Sequence, residues 1–353
     1  MSPTMRAWRT HEYGPRPTEV LQLDEVQVPE PGEGEVRVRA LGIPLNLNDL
    51  ERVNGRNMMV RPDLPYSPGM EVMGIVDACG PGTESLAGTR VVAITRMANG
   101  GFAEYSICPA ISAFEMPESV PLPDAAALFF PFHLAWLGLF DRAELHDGET
   151  VLVHAAAGGA GSAAVQLAVD AGARVIATVG SDEKAELCRE LGAHTVINYR
   201  TSEFAPLVME ATENRGVDVV FDNVGEAVMA DSMNCLAYNG RYVMMGFASD
   251  KSFADEKLIV PRRIAAGNFK LCGVLLSYAD AERATMMKQA LGWNLPSNDL
   301  GARIMREVVD MVQAGRVRAV VGQTVGFEDL PAALEAMANR ATVGRTVAVL
   351  GEG

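Results

Sequence analysis

The feature that most constrains the fold is a regular alternation of apolar segments and helical segments that begins at residue 151. Six apolar segments are predicted to be strands: VLVHA (151–155), RVIATVG (174–180), HTVINY (194–199), VDVVFDNVG (217–225), RYVMMGF (241–247) and FKLCGVLL (269–276). Strands this apolar, separated by helices, predict a parallel sheet that is covered on both faces. The expected fold class is therefore α/β, with a doubly wound parallel sheet.

The first predicted strand leads into a glycine-rich turn, AAGGAG at 156–161, and the chain then continues as a helix. The turn fits the GxGxxG pattern with alanine at its first position. Glycines in this pattern permit a tight turn and let backbone amides approach a pyrophosphate, which the helix N-terminus attracts. A plain strand–helix turn is the alternative. We predict that a dinucleotide is bound by Ala157, Gly158, Gly159, Ala160 and Gly161.

The end of the second predicted strand indicates which nicotinamide cofactor is bound. NAD sites usually place an acidic residue there, whereas this chain reads ATVG at 177–180. Ser181 and Lys184 follow, and either can meet the 2′-phosphate of NADPH, the serine by a hydrogen bond and the lysine by its charge. Ser181 as a helix cap and Lys184 as a solvated surface residue are the alternatives. The expected cofactor is NADPH (NADP).

The rest of the chain is organised differently. Segment 35–43, EVRVRALGI, alternates like a half-buried strand, and Pro/Gly clusters punctuate the first third. Near residue 125 the sequence pattern changes: segment 124–140, DAAALFFPFHLAWLGLF, is an apolar stretch of helical character that Pro131 is predicted to interrupt. After residue 270 the strands and helices stop alternating cleanly, which indicates that the chain returns to the first domain. The predicted domain segments are 1–124, 125–270 and 271–353.

Composition argues against several classes of partner. The formal net charge of −15 disfavours nucleic acid and anionic membrane surfaces. No apolar run is long enough to span a bilayer, and the first residues lack the apolar core of a signal peptide, so a cytoplasmic location is expected. The five cysteines are scattered, without the spacing of a metal clip or of a disulfide framework.

Nine short motifs follow one another along the chain: LNLND (45–49), PGMEVMG (68–74), GTRVVAI (88–94), GGFAEY (100–105), AAAGGAGSAAVQLA (155–168), VINYR (196–200), FDNVG (221–225), GRYVMMG (240–246) and GRTV (344–347). In their order and spacing, the chain resembles the zinc-independent quinone oxidoreductase branch of the medium-chain dehydrogenase/reductase superfamily. The resemblance implies a GroES-like β-barrel catalytic domain built from both ends of the chain and a Rossmann domain between them. It also implies a homodimer joined through edge strands near residues 269–276.

The resemblance implies catalytic roles for individual residues. Asn46 should lie near the nicotinamide, and Asp49 should brace its loop, although a turn or a helix cap is the alternative role for Asp49. His133 stands beside Leu134, at the place where relatives often carry a threonine. It is a candidate proton donor or, alternatively, a buried histidine satisfied by backbone groups.

Further cofactor contacts are implied at the ends of strands. Tyr199 of VINYR should flank the 2′-phosphate. Asn223, Gly246 and Phe247 follow the carboxyl ends of predicted strands, where a doubly wound sheet binds its ligand. Arg345 can reach the cofactor if the chain returns as it does in relatives.

The positions that carry zinc ligands in metal-containing relatives argue against a metal. Catalytic zinc needs three protein ligands, usually Cys, His or a carboxylate. The corresponding residues are Asn46, with Asp49 following, and Met70, with Glu71 following. The closely spaced cysteines of the structural zinc lobe are missing, and the five histidines show no paired spacing. No metal is expected.

Without a Lewis acid, substrates that are already electrophilic at carbon are favoured. The expected function is metal-free, NADPH-dependent hydride transfer to a small quinone or α,β-unsaturated carbonyl. One alternative is the reduction of enoyl thioesters carried by CoA or by an acyl carrier. The other is a low-turnover NADPH-binding protein with a structural or regulatory role, which is favoured by Glu51 because many relatives carry a tyrosine there.

Overall fold

The computed structural model describes residues 3–56, 61–245, 261–339 and 342–351. The strands are β1 (Thr4–Thr10), β2 (Leu21–Gln27), β3 (Glu35–Pro44), β4 (Glu71–Cys79), β5 (Arg90–Ile94), β6 (Tyr105–Pro109), β7 (Ala113–Glu115), β8 (Thr150–Val153), β9 (Arg174–Val179), β10 (Thr195–Asn198), β11 (Val217–Asp222), β12 (Leu236–Met244), β13 (Lys270–Gly273), β14 (Val321–Gly326) and β15 (Arg345–Val349). The helices are α1 (Pro17–Val20), α2 (Leu47–Asn54), α3 (Asp124–Trp136), α4 (Gly159–Asp170), α5 (Asp182–Glu190), α6 (Phe204–Ala211), α7 (Glu226–Asn234), α8 (Pro261–Gly267), α9 (Ala281–Leu291), α10 (Asn298–Gln313) and α11 (Leu330–Ala338). Within the described ranges, no helix is both long enough and apolar enough to cross a membrane.

The chain divides into two compact units. The first comprises residues 1–129, 277–313 and 321–353, and the second comprises 130–276 and 314–320. These limits lie a few residues from the predicted ones at 124 and 270. Segment 314–320, which the prediction places in the return segment, lies with the second unit, where the side chain of Gln166 bonds to the backbone of Arg318. There the Gln166 amide donates to the Arg318 carbonyl at 3.0 Å and accepts from the Arg318 N–H at 2.8 Å.

The second unit contains the predicted doubly wound sheet. Its described strands are ordered β10–β9–β8–β11–β12–β13, and each neighbouring pair is parallel. The side chains of β8, β9 and β11 are buried almost throughout, which is why these strands are apolar in sequence. The order is that of a Rossmann fold, so the α/β prediction is confirmed.

Strand β13 forms one edge of this sheet. It covers Lys270–Gly273, which is shorter than the predicted strand at 269–276. The homodimer that the resemblance places at this edge stays a prediction.

The first unit is the predicted β-rich domain. Its main sheet runs β14–β15–β3–β4–β5–β7, with β6 also paired to β3, and its described pairs are antiparallel apart from β14 with β15. Alternate side chains of β3 are buried, as its sequence pattern predicts. β15 pairs with β3 and so carries the C-terminal segment back to the N-terminal strands.

Helix α3 corrects one prediction. The helix runs from Asp124 to Trp136 with Pro131 inside it, so the predicted interruption at Pro131 is wrong. A proline in a helix interior costs about 3 kcal/mol. The completely buried neighbours Phe129 and Phe132 offset this cost, because fully burying a large apolar side chain is worth about 1.5–3 kcal/mol.

Candidate functional site

The glycine turn of the second unit joins β8 to α4. Helix α4 begins at Gly159 with Gly158 as its N-cap residue, and no side chain of the described residues caps it. Its first N–H groups are therefore left for an anion at the positive end of the helix dipole. A Cβ at Gly161 would lie 2.2 Å from the carbonyl oxygen of Ala155, so only glycine fits there.

Residues after β9 and β10 lie together on the second unit. The Ser181 hydroxyl caps α5 by accepting the Lys184 N–H at 3.3 Å, which leaves a phosphate contact compatible with capping. Burial lowers the pKa of Lys184, and the nearby Arg200 guanidinium lowers it further. The Tyr199 ring is half exposed. Its hydroxyl packs on Gly180 so closely that a Cβ at Gly180 would lie 2.6 Å from it. Lys184 and Arg200 are two positive charges near Tyr199, and a 2′-phosphate would be attracted to them.

Asn223 lies in the turn after β11, which its neighbour Asp222 organises. The buried Asp222 carboxylate accepts the N–H groups of Val224 and Gly225 at 2.7 and 3.0 Å. The same carboxylate accepts a hydrogen bond from the Tyr242 hydroxyl, and burial raises the pKa of Asp222. Sequence reasoning missed Asp222, although its place at the end of an apolar strand pointed to it. Gly246 and Phe247 lie outside the described residues.

A buried polar cluster in the first unit contains Asn46, Asp49, Glu71 and Arg345. Arg345 donates to Glu71 Oε2 at 2.7 Å and to Asn46 Oδ1 at 3.0 Å, and Asn46 Nδ2 donates to Glu71 Oε2 at 3.2 Å. Glu71 is completely buried, and Arg345 is 5% exposed. The Nε–H of Arg345 is buried and lacks a hydrogen-bond partner within the described residues.

Asp49 fastens two loops of the first unit to each other. Its carboxylate accepts the N–H of Asn46 at 2.9 Å and the N–H of Met70 at 3.0 Å. Burial raises the pKa of Asp49 to about 6, against the opposing influence of Arg52. The residue therefore caps the start of α2 and also holds the segment that precedes β4.

The two positions that would bear zinc ligands do not fit a metal. Both polar atoms of the Asn46 side chain are engaged by Arg345 and Glu71. A guanidinium cation 3.0 Å from the only oxygen of that side chain repels a divalent cation. Met70 is a buried thioether, a poor zinc ligand. Among the described residues, no group of three or more His, Cys, Asp or Glu side chains can hold a metal ion.

His133 lies inside α3 and is completely buried. Burial lowers its pKa to about 3, so the ring is neutral near neutral pH. A neutral imidazole enclosed by protein is poorly placed to donate a proton to a substrate, and this observation weakens the expectation that His133 is a catalytic acid.

Comparison with known proteins agrees with this architecture. The family model for the alcohol dehydrogenase GroES-like domain matches residues 31–118, and the model for zinc-binding dehydrogenases matches residues 159–293. A 2-haloacrylate reductase from a Burkholderia species is 32% identical over 328 residues, which are 92% of this chain and 93% of the relative. Quinone oxidoreductase from Sus scrofa is 32% identical over 69% of this chain and 73% of its own length. The chain belongs to the quinone oxidoreductase branch of the medium-chain dehydrogenase/reductase superfamily.

A solved structure supports the same family. Escherichia coli quinone oxidoreductase, which was crystallised with NADPH, superposes with a TM-score of 0.84 at 27% identity, covering 98% of this chain and 99% of that one. Members of this branch are oxidoreductases, and the predicted family and the predicted enzyme class are both confirmed.

Proposed function

We propose that this quinone oxidoreductase family member is a metal-free, NADPH-dependent reductase that transfers hydride to a quinone or to an α,β-unsaturated carbonyl. The observation that carries the proposal is the buried Asn46–Arg345–Glu71 cluster, which engages Asn46 at a position that the family resemblance aligns with a zinc ligand. Without a Lewis acid, the alkoxide of an alcohol–ketone interconversion is poorly stabilised. Substrates that are already electrophilic at carbon do not need that stabilisation.

The second unit has the residues to hold NADPH. The turn from Ala157 to Gly161 and the uncapped start of α4 fit the pyrophosphate, and a Cβ at Gly161 would fill the space. Ser181, Lys184 and Tyr199 fit the 2′-phosphate, with Arg200 adding charge. When bound, the cofactor supplies the hydride.

The roles of the remaining candidates are part of the same proposal. Asn223 is placed by Asp222 at the ligand-binding end of β11. In the first unit, Asn46 is the residue that the family resemblance assigns to the nicotinamide; Arg345 holds its side-chain oxygen, and Asp49 fixes its backbone. The names of the two curated relatives, a 2-haloacrylate reductase and a quinone oxidoreductase, both describe reduction of a conjugated electrophile.

A direct assay tests the reaction. NADPH oxidation is followed by absorbance with three acceptors: a small quinone, a simple enone and an enoyl-CoA. We expect the quinone or the enone to be reduced and the enoyl-CoA to react at least about tenfold more slowly, a difference of about 1.4 kcal/mol in activation free energy. Preferential reduction of the enoyl-CoA would identify a thioester reductase. Tight NADPH binding without any turnover would identify a binding protein.

Cofactor preference is tested by removing the two cations near Tyr199. The double variant Lys184→Ala/Arg200→Ala should raise the KM for NADPH by about tenfold and leave the KM for NADH unchanged, because charge-assisted hydrogen bonds to a phosphate are worth about 1.5–3 kcal/mol. The measurement is steady-state kinetics with both cofactors at fixed acceptor. Arg189→Ala is the matched control, since Arg189 lies on the same helix α5 and pairs with Glu186 at the surface. Equal changes for both cofactors would contradict a 2′-phosphate site.

A further inference from the structure

A histidine directly after β8 lies at the centre of a buried hydrogen-bond chain in the second unit. His154 is 1% exposed. Its Nδ1 lies 2.8 Å from Thr178 Oγ1 on β9, and its Nε2 lies 2.8 Å from Ser232 Oγ on α7. Ser232 in turn donates to the Val228 carbonyl at 2.6 Å. The Phe204 ring packs edge-on against the imidazole at 4.9 Å.

These contacts determine which ring nitrogen carries the proton. A serine hydroxyl has one hydrogen, and Ser232 gives it to the Val228 carbonyl, so the Ser232 oxygen accepts from the ring. Nε2 of His154 is therefore protonated, and Nδ1 accepts from the Thr178 hydroxyl. Burial lowers the pKa of His154 to about 3, which keeps the ring neutral.

The hydrogen bond to Ser232 ties the ring to α7, the helix that follows the turn after β11 and has Gly225 as its N-cap residue. Asp222 holds that turn by accepting the N–H groups of Val224 and Gly225, and its carboxylate also accepts from the Tyr242 hydroxyl. The side chains that make these contacts are nearly or completely buried: Thr178, His154, Ser232, Tyr242 and Asp222.

Two turns at the carboxyl ends of strands adjoin these contacts. At the first turn, His154 precedes Ala155, whose φ is +50°, and the Thr178 carbonyl accepts the Ala156 N–H at 3.2 Å. At the second turn, Asp222 fixes residues 223–225, directly before α7. The carboxyl ends of the strands are the place where a doubly wound sheet binds its ligand.

We propose that His154 is a positioning residue for the cofactor: as an Nε2-protonated ring it ties the glycine turn at 155–161 to α7, the helix that follows the turn at 223–225. The inference rests on the proposed NADPH dependence. Because the ring is buried, it acts through the backbone, and it fixes the spacing of two binding segments before the cofactor arrives. Such preorganisation lowers the ordering cost of binding.

Three variants test this role. His154→Phe keeps an aromatic ring but loses both hydrogen bonds, Thr178→Val loses one, and His154→Gln can accept from Thr178 and donate to Ser232. We expect His154→Phe to raise the Kd and the KM for NADPH about tenfold, with kcat changed less than about twofold, since a buried hydrogen bond is worth about 1 kcal/mol and two are lost. By the same reasoning, the Kd of His154→Gln for NADPH should stay within about threefold of the wild-type value. The Kd of Thr178→Val should lie between those of His154→Gln and His154→Phe.

The readouts separate positioning from mere stability. Kd comes from fluorescence titration with NADPH, and the unfolding midpoint is measured in parallel. Side-chain nitrogen NMR should show a neutral Nε2-protonated histidine that does not titrate between about pH 5 and 8 and is lost in His154→Gln.

The inference is overturned if His154→Phe binds NADPH within about twofold of wild type, even where its midpoint falls, or if the Phe and Gln variants lose equal affinity. If His154→Phe does not fold, Thr178→Val decides by the same criterion. Failure of the wild-type protein to bind NADPH overturns the proposed function together with this inference. Normal wild-type binding with an unaffected variant overturns this inference alone.

Discussion

Gly161→Ala should raise the Kd for NADPH by about 100-fold, because displacing a binding segment by about 1 Å costs that much. A Cβ at this position would lie 2.2 Å from the Ala155 carbonyl oxygen and 2.8 Å from the Ala155 carbonyl carbon. Both are backbone atoms, so no side-chain rotation relieves the overlap. The start of α4 must move away from the turn after β8, and the amides that would face the pyrophosphate lose their alignment. Fluorescence titration with NADPH measures the effect.

Gly273→Ala is the matched control for this variant. Gly273 is also in the second unit, but a Cβ there meets nothing within 4 Å. Its Kd for NADPH should equal that of the wild type, and circular dichroism should show both variants folded. Unchanged affinity in Gly161→Ala would show that this turn is a plain strand–helix connection, which is the alternative that the sequence left open.

The Rossmann sheet could be predicted because its strands are buried on both faces. Burial forces each of β8, β9 and β11 to be apolar along nearly its whole length, and such runs are visible without a structure. The glycine turn could be predicted for a similar reason. Gly161 packs against a backbone carbonyl, where only glycine fits, so the steric requirement is visible as a glycine in the sequence.

Interactions between distant segments could not be predicted in this way. Glu71 and Arg345 are separated by 274 positions, and neither carries a local pattern that names its partner. The same holds for Thr178, His154 and Ser232, which look in sequence like ordinary polar residues. Segment 314–320 lies with the second unit through contacts between distant positions, such as those of Gln166 with Arg318 and of Asp170 with Arg316. Polar pairing depends on tertiary geometry, which short-range patterns do not encode.

Arg345→Met should lower the free energy of unfolding by about 3–5 kcal/mol, the usual cost of removing one partner of a buried ion pair. The guanidinium is the donor to Glu71 and to Asn46, and Glu71 has no exposed surface on which water could replace it. Removing the guanidinium leaves the buried Glu71 carboxylate without its compensating charge. Urea unfolding of the wild type and the variant measures the loss.

A double variant and a surface control identify the cause. Glu71→Met/Arg345→Met removes both charges and should be more stable than Arg345→Met alone, because an apolar pair needs no compensation in a dry site. Arg6→Met makes the same substitution at a half-exposed arginine that pairs with Glu104 and Glu328, and it should cost less than about 1 kcal/mol. The single variant Glu71→Met completes the cycle. If Arg345→Met were as mild as Arg6→Met, or if the losses of stability in Glu71→Met and Arg345→Met simply added in the double variant, the cluster would not be a coupled ion pair. Repulsion by Arg345 would then not explain the exclusion of a metal cation from Asn46.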